Sequence, residues 1–95
     1  MKVEQFKNKN QFHLYGNGEN SLQSYDSLVC TIKYVDNFRT IFLGRDWDYS
    51  NTTRKHVYLF LEEYADVRLN NVSNKRKFIQ ELINQNIIKY DENMF

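Results

Sequence analysis

The sequence predicts an α+β domain, in which a small antiparallel sheet of three or four strands has two helices packed on one face. Two patterns lead to this prediction. Residues 25–35 are typical of a strand, and residues 38–43, after a turn, are rich in β-branched and aromatic residues, as expected of two paired strands. Residues 51–66 and 74–85 repeat apolar side chains at helical spacing, which indicates two amphipathic helices.

The predicted hairpin begins with a strand over residues 25–35, turns at Asp36-Asn37 and continues through residues 38–43. The even-numbered side chains of its first strand are expected to face the core: Leu28, Cys30, Ile32 and Tyr34. The odd-numbered ones are expected to face away from it: Val29, Thr31, Lys33 and Val35. On the core face Cys30 is interpreted as a small buried hydrophobe, because a reactive thiolate needs an exposed, electropositive setting.

Shorter strands are predicted on either side of the hairpin. Residues 12–15 alternate before Gly16-Asn17-Gly18, a turn that requires positive φ angles. In this strand His13 is expected to point into solvent, opposite Phe12 and Leu14. Residues 87–90 are short and β-branched, which predicts a final edge strand or a packed tail.

The two helices are predicted from their apolar residues and their caps. The first is expected to begin after Ser50, and its apolar positions i, i+3, i+4 and i+7 are Val57, Phe60, Leu61 and Tyr64. The second is expected to begin at Ser73 or Asn74, and its apolar residues are Phe78, Ile79, Leu82 and Ile83. Their short link predicts antiparallel helices whose first turns lie at opposite ends, roughly 20 Å apart.

Composition excludes several classes of protein. Thirteen Lys and Arg nearly balance twelve Asp and Glu, which argues against a polyanion mimic or a broadly basic nucleic-acid coat. The single Cys cannot form an internal disulfide, and no apolar run approaches the roughly 18 residues that span a bilayer. We therefore expect one soluble, cytoplasmic domain over residues 1–95 with no membrane partner. Its ends at 1–10 and 91–95 are expected to be frayed, the first as an edge strand or as a loosely held arm.

Each predicted helix opens with three cationic side chains. The two triplets are Arg54, Lys55 and His56, and Lys75, Arg76 and Lys77. Cations in a first turn oppose the helix dipole by roughly 0.3–1 kcal/mol each, so a bound anion would compensate for them. Two such triplets side by side would suit a nucleic-acid backbone or an acidic partner surface; the alternative is that they are simply solvated.

A hydrolytic or metal site is the least favoured interpretation. Residues 46–49 are expected to be extended, which would place Asp46 and Asp48 on one face with His56 one helical turn beyond. The sequence has no third carboxylate in register, no His pair and no glycine-rich phosphate loop. We therefore expect no catalysis, no metal site and no cofactor.

Aromatic side chains are abundant and suit the anchors of a protein interface. They make up 16% of the residues, and Trp47 and Tyr49 are expected to share the other face of the extended segment. The candidate anchors are Tyr15, Tyr49 and Tyr58. We rank non-catalytic protein binding first and nucleic-acid binding second, and a homodimer remains open.

Part of the chain resembles a known set of proteins. Ser24-Tyr25-Asp26, the strand after it, and the run Trp47-Asp48-Tyr49-Ser50-x-Thr52-Thr53-x-Lys55-His56 followed by Phe60-Leu61 are similar to small phage and prophage proteins of low-GC Gram-positive bacteria. The resemblance spans residues 24–61. It implies a phage accessory protein that binds a host or phage protein in the host cytoplasm, a class that includes inhibitors of CRISPR and other defence systems.

Overall fold

The computed structural model describes residues 2–95, and within them it has a six-stranded mixed sheet and two helices. The strands are β1 (Lys2–Phe6), β2 (Asn8–Gly16), β3 (Glu19–Ser24), β4 (Ser27–Val35), β5 (Phe38–Gly44) and β6 (Ile88–Asp91); the helices are α1 (Asn51–Ala65) and α2 (Lys75–Asn84). Strands β1 to β5 pair antiparallel in chain order. Strand β6 pairs parallel to β5, because the helical segment between them returns the chain to the starting end of β5.

This sheet corrects the prediction of three or four antiparallel strands. The strand that was missed, β3, is polar and has one large apolar side chain, Leu22. Ser21 and Ser24 of β3 are nevertheless buried, because their hydroxyls lie 2.9 Å from those of Thr31 and Thr53, respectively. Buried hydroxyls that bond to each other replace the apolar side chains by which a strand is recognised in a sequence.

Both helices form where the sequence predicts them. The N–H of Thr53 donates to Ser50 Oγ at 3.1 Å, which confirms Ser50 as the N-cap of α1. Asn74 caps α2 by accepting from the N–H of Lys77 at 3.1 Å. Helix α1 packs against β3 and β4, and α2 packs against β6. Among residues 2–95, neither helix combines the length and the apolar character needed to cross a membrane.

The predicted hairpin is confirmed as β4 and β5. Asp36 and Asn37 connect the two strands with φ angles of 52° and 69°, the positive values that a two-residue type I′ turn requires. The predicted turn at residues 16–18 is also present and joins β2 to β3, with φ angles of 52° at Asn17 and 78° at Gly18.

The segment before α1 is a series of turns, which corrects the prediction of an extended strand at residues 46–49. The N–H of Trp47 donates to Gly44 O at 3.1 Å, and the N–H of Tyr49 donates to Asp46 O at the same distance. Successive turns rotate the chain, so residues two apart no longer share a face. Trp47 is therefore buried at 3% exposure while Tyr49 is 80% exposed.

His13 lies on the face of the sheet that α1 covers, which corrects its predicted exposure. Its side chain is 4% exposed and contacts Tyr64 of α1. Phe12 and Leu14 are only half-buried, and Leu14 lines an open depression on the opposite face. The predicted alternation in this strand is correct, but the larger apolar side chains do not point towards the helix.

Both ends of the described chain are hydrogen-bonded into the fold. Residues 2–10 belong to the paired strands β1 and β2, which are connected by Lys7. Near the other end, Met94 O accepts from the N–H of Arg45 at 3.0 Å. Gly44 permits this contact, because a Cβ there would lie 2.7 Å from both Leu28 O and Met94 O.

A β-bulge in β4 changes which of its side chains face the core. The register between β3 and β4 shifts after Leu22, so that Cys30 pairs with Leu22 and Leu28 with Gln23. Val29 is fully buried in the core, whereas Leu28 lines the open depression on the other face. The predicted even-numbered core face is therefore correct for Cys30 and wrong for Leu28; at the far end of the strand Tyr34 is exposed as well.

We expect Val29→Thr to lower the free energy of unfolding by about 1–2 kcal/mol, because it brings an unpaired hydroxyl into the core at nearly constant volume. Val35→Thr is the matched control, since Val35 lies in the same strand and is 40% exposed. It should change stability by less than about 0.5 kcal/mol. Urea denaturation measures both, and equal losses would contradict the bulge as the cause of Val29 burial.

Candidate functional site

An open groove of about 400 Å³ lies where the first turns of α1 and α2 approach each other. Its lining residues come from both helices and from the link between them: Asn51, Arg54, Lys55, Tyr58, Leu59, Glu62, Asn70 and Lys75. Three cations and one carboxylate thus line the groove, beside one aromatic and one aliphatic side chain. It combines a positive surface with apolar contacts.

The path of the link between the helices explains how the groove forms. The link, residues 66–74, would span about 30 Å when extended, which exceeds the length of about 22 Å of α1. It is thus long enough to run back along α1: Leu69 is buried, Asn70 lines the groove beside α1, and Lys75 lies at the start of α2 in the same groove as Asn51. This corrects the prediction that the two basic first turns lie at opposite ends of an antiparallel pair.

Asp48 connects the two helix starts. Its main-chain oxygen accepts from Arg54 Nη1 at 3.1 Å, and its carboxylate accepts from Arg76 Nη2 at 2.9 Å. Arg54 also donates to the side chain of Asn51. Asp48 thereby holds the side chain of Arg54 through its main-chain oxygen and offsets the charge of Arg76. Among residues 2–95, none of the three groove cations Arg54, Lys55 and Lys75 has a carboxylate within ion-pair distance.

Tyr58 forms the aromatic wall of the groove. Partial burial raises the pKa of its hydroxyl above the ordinary tyrosine value, while the charges of Arg54 and Arg76 act in the opposite direction. The hydroxyl therefore remains protonated at neutral pH and can donate a hydrogen bond to a ligand. Leu59, half-buried beside it, extends the apolar part of the wall.

The remaining predicted anion-binding residues lie outside the groove. Arg76 and Lys77 line a neighbouring shallow depression with Asn74 and Gln80. His56 is buried: its Nδ1 lies 2.8 Å from Thr52 O, and its ring meets that of Phe6 edge-on. Of the two predicted triplets, the structure brings Arg54, Lys55 and Lys75 together.

The three predicted aromatic anchors do not form one surface. Tyr58 lies in the groove, while Tyr49 projects from the turn segment before α1 and is not part of the lining. Tyr15 lies on β2, where its ring stacks on that of His13 with centroids 4.8 Å apart. Tyr58 alone combines partial burial with a position next to the cations.

The predicted hydrolytic residues are held apart by other contacts. Asp46 accepts from Ser27 Oγ at 2.8 Å, Asp48 bonds to Arg76, and His56 is in the core. Within residues 2–95, no three His, Cys, Asp or Glu side chains are grouped so that they could bind a metal ion. Cys30 is fully buried, and burial raises the pKa of its thiol strongly, which keeps it protonated as predicted for a core residue.

Sequence reasoning missed a buried polar cluster around His13. Its Nε2 lies 2.8 Å from Asn20 Oδ1, and its Nδ1 lies 3.1 Å from Glu4 Oε1 and 3.2 Å from the hydroxyl of Tyr64. These partners come from β1, β3 and α1. No local spacing connects them, so only the strand pairing could have revealed the cluster.

The fold and the groove define a small α+β protein with a positively charged groove between two helix starts. The chain belongs to a family of unknown function (DUF8033), whose family model matches residues 1–86. These residues include every residue that lines the groove. Searches of curated proteins and of solved structures gave no match.

Proposed function

We propose that this protein is a non-catalytic binding protein that holds an acidic segment of a partner protein in the groove between α1 and α2. The observation that carries the proposal is the position of Arg54, Lys55 and Lys75 around Tyr58 and Leu59. Carboxylates of a partner would pair with the cations, and an aromatic or aliphatic side chain beside them would pack on the apolar wall. Partly buried Tyr and Arg side chains are common anchors of protein interfaces.

The resemblance of the run 47–56 to phage and prophage proteins supports a phage accessory role in the host cytoplasm. In that setting the partner is a host or phage protein, and an inhibitor of a defence system is one such role. Two of the groove cations, Arg54 and Lys55, lie within this run. The motif and the proposed binding surface therefore coincide in part.

Nucleic-acid binding is the second candidate, favoured by the convergence of two basic helix starts on one side of the protein. Against it stands the overall charge of +1, which provides little long-range attraction for a polyanion. The dependence of affinity on salt concentration distinguishes the two candidates. Each phosphate that the protein neutralises makes the affinity for nucleic acid fall more steeply as the salt concentration rises.

The test measures binding of a short fluorescein-labelled peptide rich in Glu and Phe by fluorescence anisotropy. We expect the double variant Lys55→Glu/Lys75→Glu to bind this peptide at least about tenfold more weakly, because attractive pairs become repulsive ones. Tyr58→Ala should also weaken binding, whereas a peptide with Gln in place of Glu should bind poorly to the wild type. A duplex DNA is titrated in parallel between about 50 and 200 mM salt.

The matched control is Lys9→Glu/Lys33→Glu, which changes the net charge by the same amount at strands β2 and β4, outside the groove. It should bind the peptide like the wild type. Equal losses in the two double variants would show that net charge, and not the groove, determines binding. Tighter binding of the DNA than of the peptide, abolished by the groove variant, would place nucleic acid first.

A further inference from the structure

Strand β1 is an open edge of the sheet. It pairs only with β2, and residues 2–5 are exposed along its length, with Val3 at 61%. Within residues 2–95, the backbone hydrogen bonds outside helices and sheet ladders involve none of residues 2–6. The outward N–H and C=O groups of β1 are therefore free to pair with another strand.

Residues 2–5 of β1 form a regular edge without proline. The features that could block it are its shortness, its two charged side chains and the register shift at its end, between Gln5 and Phe6. The charges along the edge are of mixed sign, with Lys2 and Glu4 on either side of Val3. Charges of one sign would repel the same strand of a second copy, whereas opposite charges can pair across the strands.

Symmetry restricts how a second copy could pair with this edge. Two identical antiparallel strands in one sheet are related by a two-fold axis perpendicular to it, so directly opposed residues point to the same face. Within the regular part of β1, residues 2–5, the axis can therefore pass next to Lys2, Val3, Glu4 or Gln5. An axis at Lys2 opposes two Lys, and an axis at Glu4 opposes two Glu, both of which are unfavourable cross-strand pairs.

An axis at Gln5 places no opposite charges across from each other, so only the axis at Val3 makes the edge complementary to itself in charge. It places Lys2 of each copy opposite the partner's Glu4, twice, and packs the two Val3 side chains against each other. Lys2 and Glu4 lie on the same face as His13, because they pair across the ladder with Tyr15 and His13. The partner's Lys2 would thus meet a carboxylate that the contact with His13 at 3.1 Å already positions.

We propose that two copies of this protein pair through β1 with the two-fold axis at Val3, which joins their sheets into one continuous sheet. The occupant of the edge is a second copy, because the Lys2–Glu4 pairing is satisfied by the sequence of β1 itself. This inference does not depend on the function proposed for the groove. The groove and β1 have no residue in common.

The proposed pairing of Lys2 with the partner's Glu4 can be tested by reversing each charge separately and then mixing the two variants. Lys2→Glu alone sets two carboxylates against each other at both cross-strand pairs, and Glu4→Lys alone sets two ammonium groups against each other there. Each variant should dimerise at least about tenfold more weakly than the wild type. An equal mixture of the two variants restores both opposite-charge pairs, so a heterodimer should form only in the mixture.

Analytical ultracentrifugation of proteins tagged at the C-terminus, up to about 100 μM, measures all four samples. Circular dichroism shows whether each variant is folded, since Glu4→Lys also removes the contact with His13. Recovery of the dimer on mixing supports both folding and register. The proposal is overturned if the wild type stays monomeric, if both variants dimerise like the wild type, or if the folded variants stay monomeric when mixed.

Discussion

Replacing Phe60 with alanine is expected to lower the free energy of unfolding by about 3–5 kcal/mol, through lost transfer energy and the cavity left behind. Phe60 is fully buried on the inner face of α1. Its ring lies 5.5 Å from that of Phe6, 5.6 Å from that of His13 and 4.8 Å from that of Tyr64, measured between centroids. It therefore joins α1 to both β1 and β2, and no neighbouring side chain can fill its volume without moving the helix.

Urea denaturation followed by Trp47 fluorescence measures this loss, because Trp47 is the single tryptophan and is buried. Phe38→Ala is the matched control, since Phe38 is 75% exposed at the turn of the β4–β5 hairpin. Its removal should cost less than about 0.5 kcal/mol. If the two alanine variants unfold at the same urea concentration, Phe60 does not connect the helix to the sheet.

The elements predicted best from the sequence are those whose signals are local. Val57, Phe60 and Leu61 repeat at helical spacing after a capping Ser50, and all three are fully buried. The turn at Asp36-Asn37 is equally local, because two residues that tolerate positive φ suffice to specify it. Neither prediction depends on where the rest of the chain lies.

The missed strand β3 and the missed burial of His13 both depend on contacts between distant residues. Ser24 is buried because it meets Thr53 of α1, and His13 is buried because it meets Tyr64. The buried face of a polar strand can be identified only when the residues that contact it are known. The bulge at Val29 adds a second difficulty. One extra residue in β4 moves the side chains that precede it to the opposite face of the sheet from the one that simple alternation predicts.

The sequence indicated the three basic residues that line the groove, but it did not predict that they lie close together. Arg54, Lys55 and Lys75 were singled out from two basic helix starts, and the groove contains all three. Their convergence could not be predicted, because link length alone favours antiparallel helices. The burial of Leu69 directs the link back along α1, and that contact is tertiary.

The largest stabilising effect is expected at Gln11. Its replacement by methionine should raise the free energy of unfolding by about 2–3 kcal/mol. Gln11 is fully buried on β2, and neither its amide nitrogen nor its amide oxygen has a hydrogen-bond partner among residues 2–95. Methionine has a similar length and volume, so the substitution removes two unsatisfied polar groups and leaves the packing nearly unchanged.

Gln23→Met is the control for this gain. Gln23 lies on β3, is half-buried, and donates from its amide nitrogen to Tyr25 O at 2.9 Å. Its replacement removes a satisfied hydrogen bond, so stability should stay the same or fall slightly. Urea denaturation compares the two variants with the wild type. A loss of stability in Gln11→Met would show that the amide is satisfied in solution, because only a bonded group is costly to remove.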